Sequence, residues 1–409
     1  MLFFLRMAIV LLILIGLPTL GIYWRFLRRK PQLRVWRRVL LSIVALLCIG
    51  TIWYVSSGFH TGKPEWLCRL FIHSLLGVSF AEIAICVGSL LALLFKKIPF
   101  LSRTLICLGF TMGALSLITT VMAYLIGNKR IEVKEYTFAS KDLPEAFDGF
   151  RIVHISDLHL GTYTAKRCFM SKSESETNSH SDRVNELIDK TLEQKGDVIV
   201  FTGDLVNLEA KEAEPFKEQL KRLTAPYGTY SILGNHDYAI YRHFADKRAQ
   251  IADIEHLAAI EKECGWHLLR NENAIIKKDN EQIAIIGVEN DGKPPFPQLA
   301  NLKKAQKGLP TDTADGKPLF KILLTHDPSH WRRNVLDETD IQLTLAGHTH
   351  GMQFKLGDWS PASWLYKEWG GQYYEGERSI VVSLGLGLGA VPFRFGAWSE
   401  ICVITLKKI

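Results

Sequence analysis

The chain of 409 residues is poor in cysteine. Its seven, Cys48, Cys68, Cys86, Cys107, Cys168, Cys264 and Cys402, are odd in number, scattered, and include no C-x-x-C pair. That pattern argues against a disulfide framework and a thiolate zinc site. It leaves the thiols as small hydrophobes in packing positions. Acids are nearly missing from the first 130 positions, where Glu65 and Glu82 face 15 lysines and arginines. From 131 onward the balance reverses, with 34 basic against 40 acidic residues. The formal charge of +7 therefore belongs to the N-terminal part. The rest lacks the clustered positive charge of a nucleic-acid footprint, and no nucleic-acid partner is expected. Internal repeats and coiled-coil heptads are absent too.

What the N-terminal part does have is apolar length. Four stretches, at about 2–24, 36–57, 66–95 and 99–126, each approach or exceed the roughly 20 residues that carry a helix across a bilayer. A cleaved signal peptide would account for the first alone. We therefore read 1–130 as a transmembrane region of about four helices, 131–149 as linker and lead-in, and 150–409 as a second domain. Arg25, Arg28, Arg29, Lys30, Arg34, Arg37 and Arg38 fill the first loop without an acid. The second loop, 58–65, is nearly neutral, and the third carries Lys96, Lys97 and Arg103. Basic loops stay cytoplasmic, so the second domain is expected outside the cytoplasmic membrane, although Lys129 and Arg130 pull the other way. Glu82 and His73 fall inside the third stretch. Such residues are functional candidates or buried helix–helix hydrogen bonds.

In the second domain, polar clusters follow apolar, β-branched runs. Asp157-Leu158-His159 follows 151–156, Gly203-Asp204 follows 197–201, and Gly234-Asn235-His236-Asp237 follows 229–233. Thr325-His326 follows 320–324, and Gly347-His348-Thr349-His350-Gly351 follows 341–346. On an extended backbone alternate side chains share a face, so His348 and His350 are expected to aim at one centre. Segments 182–194, 212–223 and 246–264 have helical character. Segment 168–181 has no apolar period and reads as an exposed loop. Strands alternating with helices imply an α/β core with its active groups at strand carboxyl ends.

Asp157, Asp204, Asn235, His159, His326, His348 and His350 form a mixed carboxylate and imidazole set that suits Mn, Fe, Zn or similar divalent ions. Seven ligands exceed one tetrahedral ion. They fit two ions sharing one carboxylate, as in hydrolytic two-metal centres. His236 is placed to protonate a leaving oxygen, with Asp237 orienting its imidazole.

The succession D-x-H, G-D, G-N-H-D, H and G-H-x-H resembles the calcineurin-like metallophosphoesterases over about residues 148–409. The resemblance implies that Asp157, His159, Asp204 and His350 hold one ion, and that Asp204, Asn235, His326 and His348 hold the other. It implies His236 as general acid, and a fold of two β-sheets packed face to face with helices outside. The branch most like this chain is bacterial and membrane-associated, and continues G-H-T-H-G-G-Q. Here Met352 replaces the second glycine, which narrows or greases the rim. Pro392-Phe393-Arg394-Phe395 retains an arginine, either a phosphate clamp or a structural ion pair.

Trp359, Trp364, Tyr366, Trp369, Tyr373 and Tyr374 follow the last motif, as aromatics with polar tips do at membrane interfaces. The expected function is a membrane-anchored, metal-dependent phosphoesterase acting on a phosphodiester or pyrophosphate in a lipid-linked substrate. Two rivals stand beside it. One is a phosphatase or nucleotide phosphodiesterase of soluble substrates. The other is a non-catalytic metal-binding membrane sensor.

Overall fold

The structure is a computed structural model and describes residues 2–56, 65–127, 129–164, 175–294, 296–311, 316–389 and 393–409. The second inter-helix loop, much of segment 168–181 and Pro392 lie outside those residues. The chain divides into two compact units, one of residues 1–128, 165–171 and 391–395, the other of 129–164, 172–390 and 396–409.

Apolar sequence makes the first unit helical. Its helices are α1 (Leu2–Ile22), α2 (Arg34–Ser56), α3 (Glu65–Leu94) and α4 (Pro99–Ile126). Three segments, Pro31–Tyr54, Leu70–Leu94 and Pro99–Ile126, are long and apolar enough to cross a bilayer, and a shorter apolar segment spans Leu12–Leu27. Small residues let α3 and α4 approach closely: a Cβ on Gly88 would come within 2.8 Å of Gly109 Cα. Glu82 is buried and accepts a hydrogen bond from Thr19 Oγ1 at 2.7 Å. It serves as a helix–helix tie in the interior of the first unit, where a buried carboxylate needs a hydrogen-bond partner. His73 is buried with its ring against Tyr124 and Phe393.

Strands dominate the second unit. They are β1 (Ile131–Ser140), β2 (Arg151–Ile155), β3 (Val198–Phe201), β4 (Thr229–Ser231), β5 (His267–Leu268) and β6 (Glu272–Lys278). Then come β7 (Glu281–Gly287), β8 (Lys321–Leu324), β9 (Leu343–Ala346), β10 (Gly371–Glu375), β11 (Arg378–Val382) and β12 (Ser399–Lys408). One mixed sheet has the order β1-β12-β2-β3-β4-β5 and the other β10-β11-β9-β8-β7-β6. In the first, β2 to β5 run parallel. In the second, β7, β8, β9 and β11 do.

Strand alternation builds four layers. Ile152, Val198, Val200 and Ile404 point between the sheets and meet Ile285, Ile322, Leu324 and Leu345. Their chain neighbours Val153, Ile199, Phe201 and Val403 point the other way, onto Leu187 and Ile188 of helix Ser175–Leu192 and Leu257 and Ile260 of helix Lys247–Glu263. Beyond the second sheet, Ile286, Leu323 and Val382 pack with Trp331 and Val335. Each such side chain contributes about 1.5–3 kcal/mol on burial. Burial on both faces explains why these strands read as continuous apolar runs.

Three local expectations change. Segment 131–149 contains β1, whose ten residues pair in parallel with β12, so the lead-in supplies an edge strand. The expected helix over 212–223 breaks into the short turns Ala210–Glu212, Glu214–Phe216 and Lys217–Leu220. Pro215 disfavours α backbone at the residue before it, Glu214, and so breaks a helix begun at 212. The helix expected over 182–194 begins at Ser175, inside the segment read as a loop. Elongation from an amphipathic nucleus is cheap, so the added turns need no apolar period of their own.

Candidate metal centre

All seven expected ligands come from the second unit, each delivered just past a strand: Asp157 and His159 after β2, Asp204 after β3, Asn235 after β4, His326 after β8, and His348 and His350 after β9. Five of them hold left-handed backbone: Asp157 (φ 54°), His159 (48°), Asp204 (59°), His348 (74°) and His350 (49°). Non-glycine residues there cost of order 1–3 kcal/mol each and persist where the surrounding fold fixes them, typically at functional sites. The H-x-H therefore does not converge as an extended strand, as its spacing led us to expect. A tight turn aims both rings. Glycine is required beside them, since a Cβ on Gly234 would lie 2.2 Å from Asp204 Oδ1 and 2.7 Å from His326 Cε1.

The side chains gather in overlapping groups. Ligand atoms of Asp157, His159 and His350 lie within 4.8 Å of one another, as do those of Asp204, His326 and His348. Between the groups stands Asp204 Oδ2, 3.7 Å from His159 Nε2 and 3.2 Å from His326 Nε2. His350 Nε2 is 3.1 Å from His159 Nε2 and 3.3 Å from Asp157 Oδ1. Asn235 Oδ1 lies 3.1 Å from His326 Nε2 and 2.8 Å from His348 Nδ1.

Hydrogen bonding fixes which atoms face inward. His326 Nδ1 sits 2.7 Å from the Thr202 carbonyl, which only accepts, so Nδ1 carries the proton. Asn235 Nδ2 donates to Tyr241 Oη at 2.9 Å, which turns Oδ1 inward. A bare imidazole nitrogen, a carboxylate oxygen and an amide oxygen then meet with no hydrogen among them. Three lone pairs at such distances need a cation. Although burial pulls His326 down, the Asp204 carboxylate outweighs it and raises the imidazole to about 10, so the pocket favours positive charge. A divalent ion supplies that charge with the proton released, and the donor set fits one.

Four further ligands are shifted towards the form that binds a metal. Burial pushes Asp157 up, but His350, His326 and His159 outweigh it and hold the carboxyl well below its ordinary value. Asp204 is likewise lowered against its burial by His326 and His236. Burial, with His236 adding to it, lowers His159 to about 3, and burial lowers His348.

Around these side chains lie partners the sequence does not advertise. His236 Nδ1 meets the Asn207 carbonyl at 2.7 Å, and a ring nitrogen of His236 lies within 4.8 Å of the ligand atoms of His159 and Asp204. That carbonyl makes the orienting contact expected of Asp237. Both Asp237 oxygens are instead taken by backbone: Oδ2 accepts from Asp204 N and Gly234 N, Oδ1 from Leu205 N and Val206 N. Asp237 thus clamps the G-D loop to the G-N-H-D loop. His348 Nε2 is held by Tyr366 Oη at 2.9 Å, so Tyr366 belongs to the centre although its sequence context placed it among interface aromatics. Arg394 is fully buried and belongs to the first unit, its backbone carbonyl against Gly127.

One neighbour gives a pH dependence. His154, fully buried with Nε2 2.9 Å from Thr202 Oγ1, is lowered by burial to about 3. An unfolded imidazole takes its proton near 6.5, so between the two values the unfolded chain binds more protons. Stability is present at neutral pH and lost as pH falls from about 6.5 towards 3, by up to about 1.4 kcal/mol per pH unit for each such group. His159 adds a second in the metal-free protein. The melting temperature of chelated protein is expected to fall steeply from pH 7 to pH 5, and His154→Gln to make that fall shallower. An unchanged slope in the variant counts against it.

A model of the calcineurin-like phosphoesterases matches residues 150–352. The metallophosphoesterase YkuE of Bacillus subtilis is 31% identical over 290 residues, covering 68% of this chain and 86% of that protein. A transmembrane protein with metallophosphoesterase domain from Danio rerio is 27% identical over 394 residues, 92% of this chain and 82% of its own length. The UDP-2,3-diacylglucosamine pyrophosphatase LpxG of Chlamydia trachomatis is 27% identical over 315 residues, 64% of this chain and 86% of that enzyme.

Proposed function

Since the chain belongs to the calcineurin-like metallophosphoesterases and is a phosphoester hydrolase, we propose that it is a membrane-anchored dinuclear enzyme cleaving a phosphodiester or pyrophosphate bond in a lipid-linked substrate. The observation that carries this reading is the carboxylate of Asp204 standing between two ligand groups whose inward lone pairs demand cations. Asp157, His159, Asp204 and His350 hold one ion; Asp204, Asn235, His326 and His348 hold the other. The donors suit Mn, Fe or Zn. When bound, such a pair supplies Lewis-acid charge to the phosphoryl oxygens and lowers the pKa of a water.

The chain's own residues do the rest. Asp237 holds two ligand loops in register, Tyr241 keeps the Asn235 amide turned inward, and Tyr366 steadies His348. His236, anchored through Nδ1, presents Nε2 where it protonates the departing oxygen. Four membrane helices, with the domain boundary near residue 130, anchor the catalytic part on the outer side of the cytoplasmic membrane. Supporting the lipid-linked substrate are the apolar helices and the resemblance to a pyrophosphatase of a diacylated sugar nucleotide.

The test uses the purified full chain, with metal analysis and turnover of a soluble chromogenic diester beside a diacyl pyrophosphate in mixed micelles. About two ions per chain and preferred turnover of the lipid support the proposal. Equal preference for the soluble ester removes the lipid-linked substrate. Metal without turnover of either removes the enzyme in favour of the sensor. Protease shielding of the domain on intact cells overturns the orientation.

A further inference from the structure

Burial separates the aromatics that follow the last metal-ligand motif. Trp369 is 8% exposed and packs with Ala362, Leu384 and Ala397. Trp359 and Trp364 are 42% and 75% exposed, and their rings meet edge to face at 5.6 Å. Leu356, bridged to Trp359, and Leu365, next to Trp364, are 64% and 59% exposed. Two tryptophans and two leucines on one short loop make an apolar patch of the kind that marks an interaction surface.

The loop is firmly tied, and it is tied to the metal centre. Ser360 Oγ donates to the Gly351 carbonyl at 2.6 Å and accepts from Ala362 N at 3.0 Å. Tyr366 Oη reaches His348 Nε2 at 2.9 Å. Within a few residues, then, the chain passes from an apolar outer face to a side chain that holds an expected metal ligand.

A bilayer is the surface this patch fits. Three segments of the same chain are apolar enough to span one. Between the end of α4 at Ile126 and the start of β1 at Ile131 lie only residues 127–130, a link that spans at most about 18 Å. Only that short link joins the domain in sequence to segments that can span a bilayer. Tryptophan favours the lipid–water boundary, and the same loop carries Lys355 and Lys367 against Asp358, a balance that suits anionic headgroups.

We infer that Leu356, Trp359, Trp364 and Leu365 seat in the lipid–water interface of that bilayer. The loop then forms the entry edge for a phosphate whose carrier remains among the acyl chains. The inference rests on the membrane-anchored reading above and adds to it the surface that meets the lipid.

The experiment reads fluorescence, so it does not depend on catalysis. Full chain and the Trp359→Phe/Trp364→Phe variant are reconstituted in nanodiscs of phosphatidylcholine and anionic phosphatidylglycerol with ordinary or brominated acyl chains. Subtracting variant from wild type isolates these two side chains from the other tryptophans of the ten in the chain. Side chains at the boundary sit roughly 5–10 Å into the headgroup and acyl region, so their difference emission should fall at least about twofold in brominated lipid and resist aqueous iodide. Quenching by iodide with no effect of bromine overturns the inference and leaves the patch in water. Indifference to both quenchers also overturns it and points to cover by protein, such as a second copy. Loss of turnover in the preceding test would sink the catalytic reading and leave this result standing.

Discussion

Replacing Asp204 by asparagine should lower kcat/KM by at least about a thousandfold, a loss of about 4 kcal/mol in transition-state stabilisation. The change is isosteric and removes one charge. That charge faces His159 on one side and His326 on the other, at 3.7 and 3.2 Å. An amide offers the inward position a neutral oxygen or an N–H donor, and neither holds two cations close together. Metal content should drop below two per chain. His350→Ala removes a side chain from one group only and should leave one ion bound. The fold should survive the asparagine, because Asp204 is locked through its backbone: its N–H goes to Asp237 Oδ2 at 2.7 Å. Metal analysis and steady-state kinetics, with melting temperature as the control for folding, decide the matter. A variant that keeps two ions and a rate within tenfold of wild type would remove Asp204 from the bridging position.

That experiment targets residues legible in the sequence, for a physical reason. A ligand placed at a strand's carboxyl end follows a buried, β-branched run, so Val198 to Phe201 announces Asp204 and Leu343 to Ala346 announces His348. Other parts of the site leave no such trace. The partners of His326 and His236 are the carbonyls of Thr202 and Asn207, and every residue carries a carbonyl. Tyr366 looked like its aromatic neighbours because only the path of its loop brings its hydroxyl to His348. The sheet order was equally hidden. β1 lies beside β12, from opposite ends of the unit, and local patterning does not encode such pairings. Periodicity misled at 212–223 because it overlooked Pro215, and at the H-x-H because alternation presumes an extended backbone that His348 and His350 do not have.

The second large effect concerns His236, and it should depend on the leaving group. With Nδ1 given to the Asn207 carbonyl, only Nε2 is available for chemistry. A ring nitrogen of His236 also lies within 4.8 Å of the His159 and Asp204 ligand atoms, so two roles compete: proton donor or additional metal ligand. They differ in what His236→Gln does. A general acid contributes about 100- to 10,000-fold when the departing oxygen needs its proton, and far less when that oxygen leaves readily as an anion. For a donor, kcat on an alkyl diester should fall by that factor, while a p-nitrophenyl ester, whose phenolate is a good leaving group, loses much less. KM and metal content should hold, since the backbone N–H of His236 still reaches Asp204 Oδ1 at 2.8 Å. For a ligand, metal is lost and both esters slow together. Equal loss on the two esters, with metal retained, would instead place His236 in binding or orienting the phosphoryl group, and a shift in KM would accompany it.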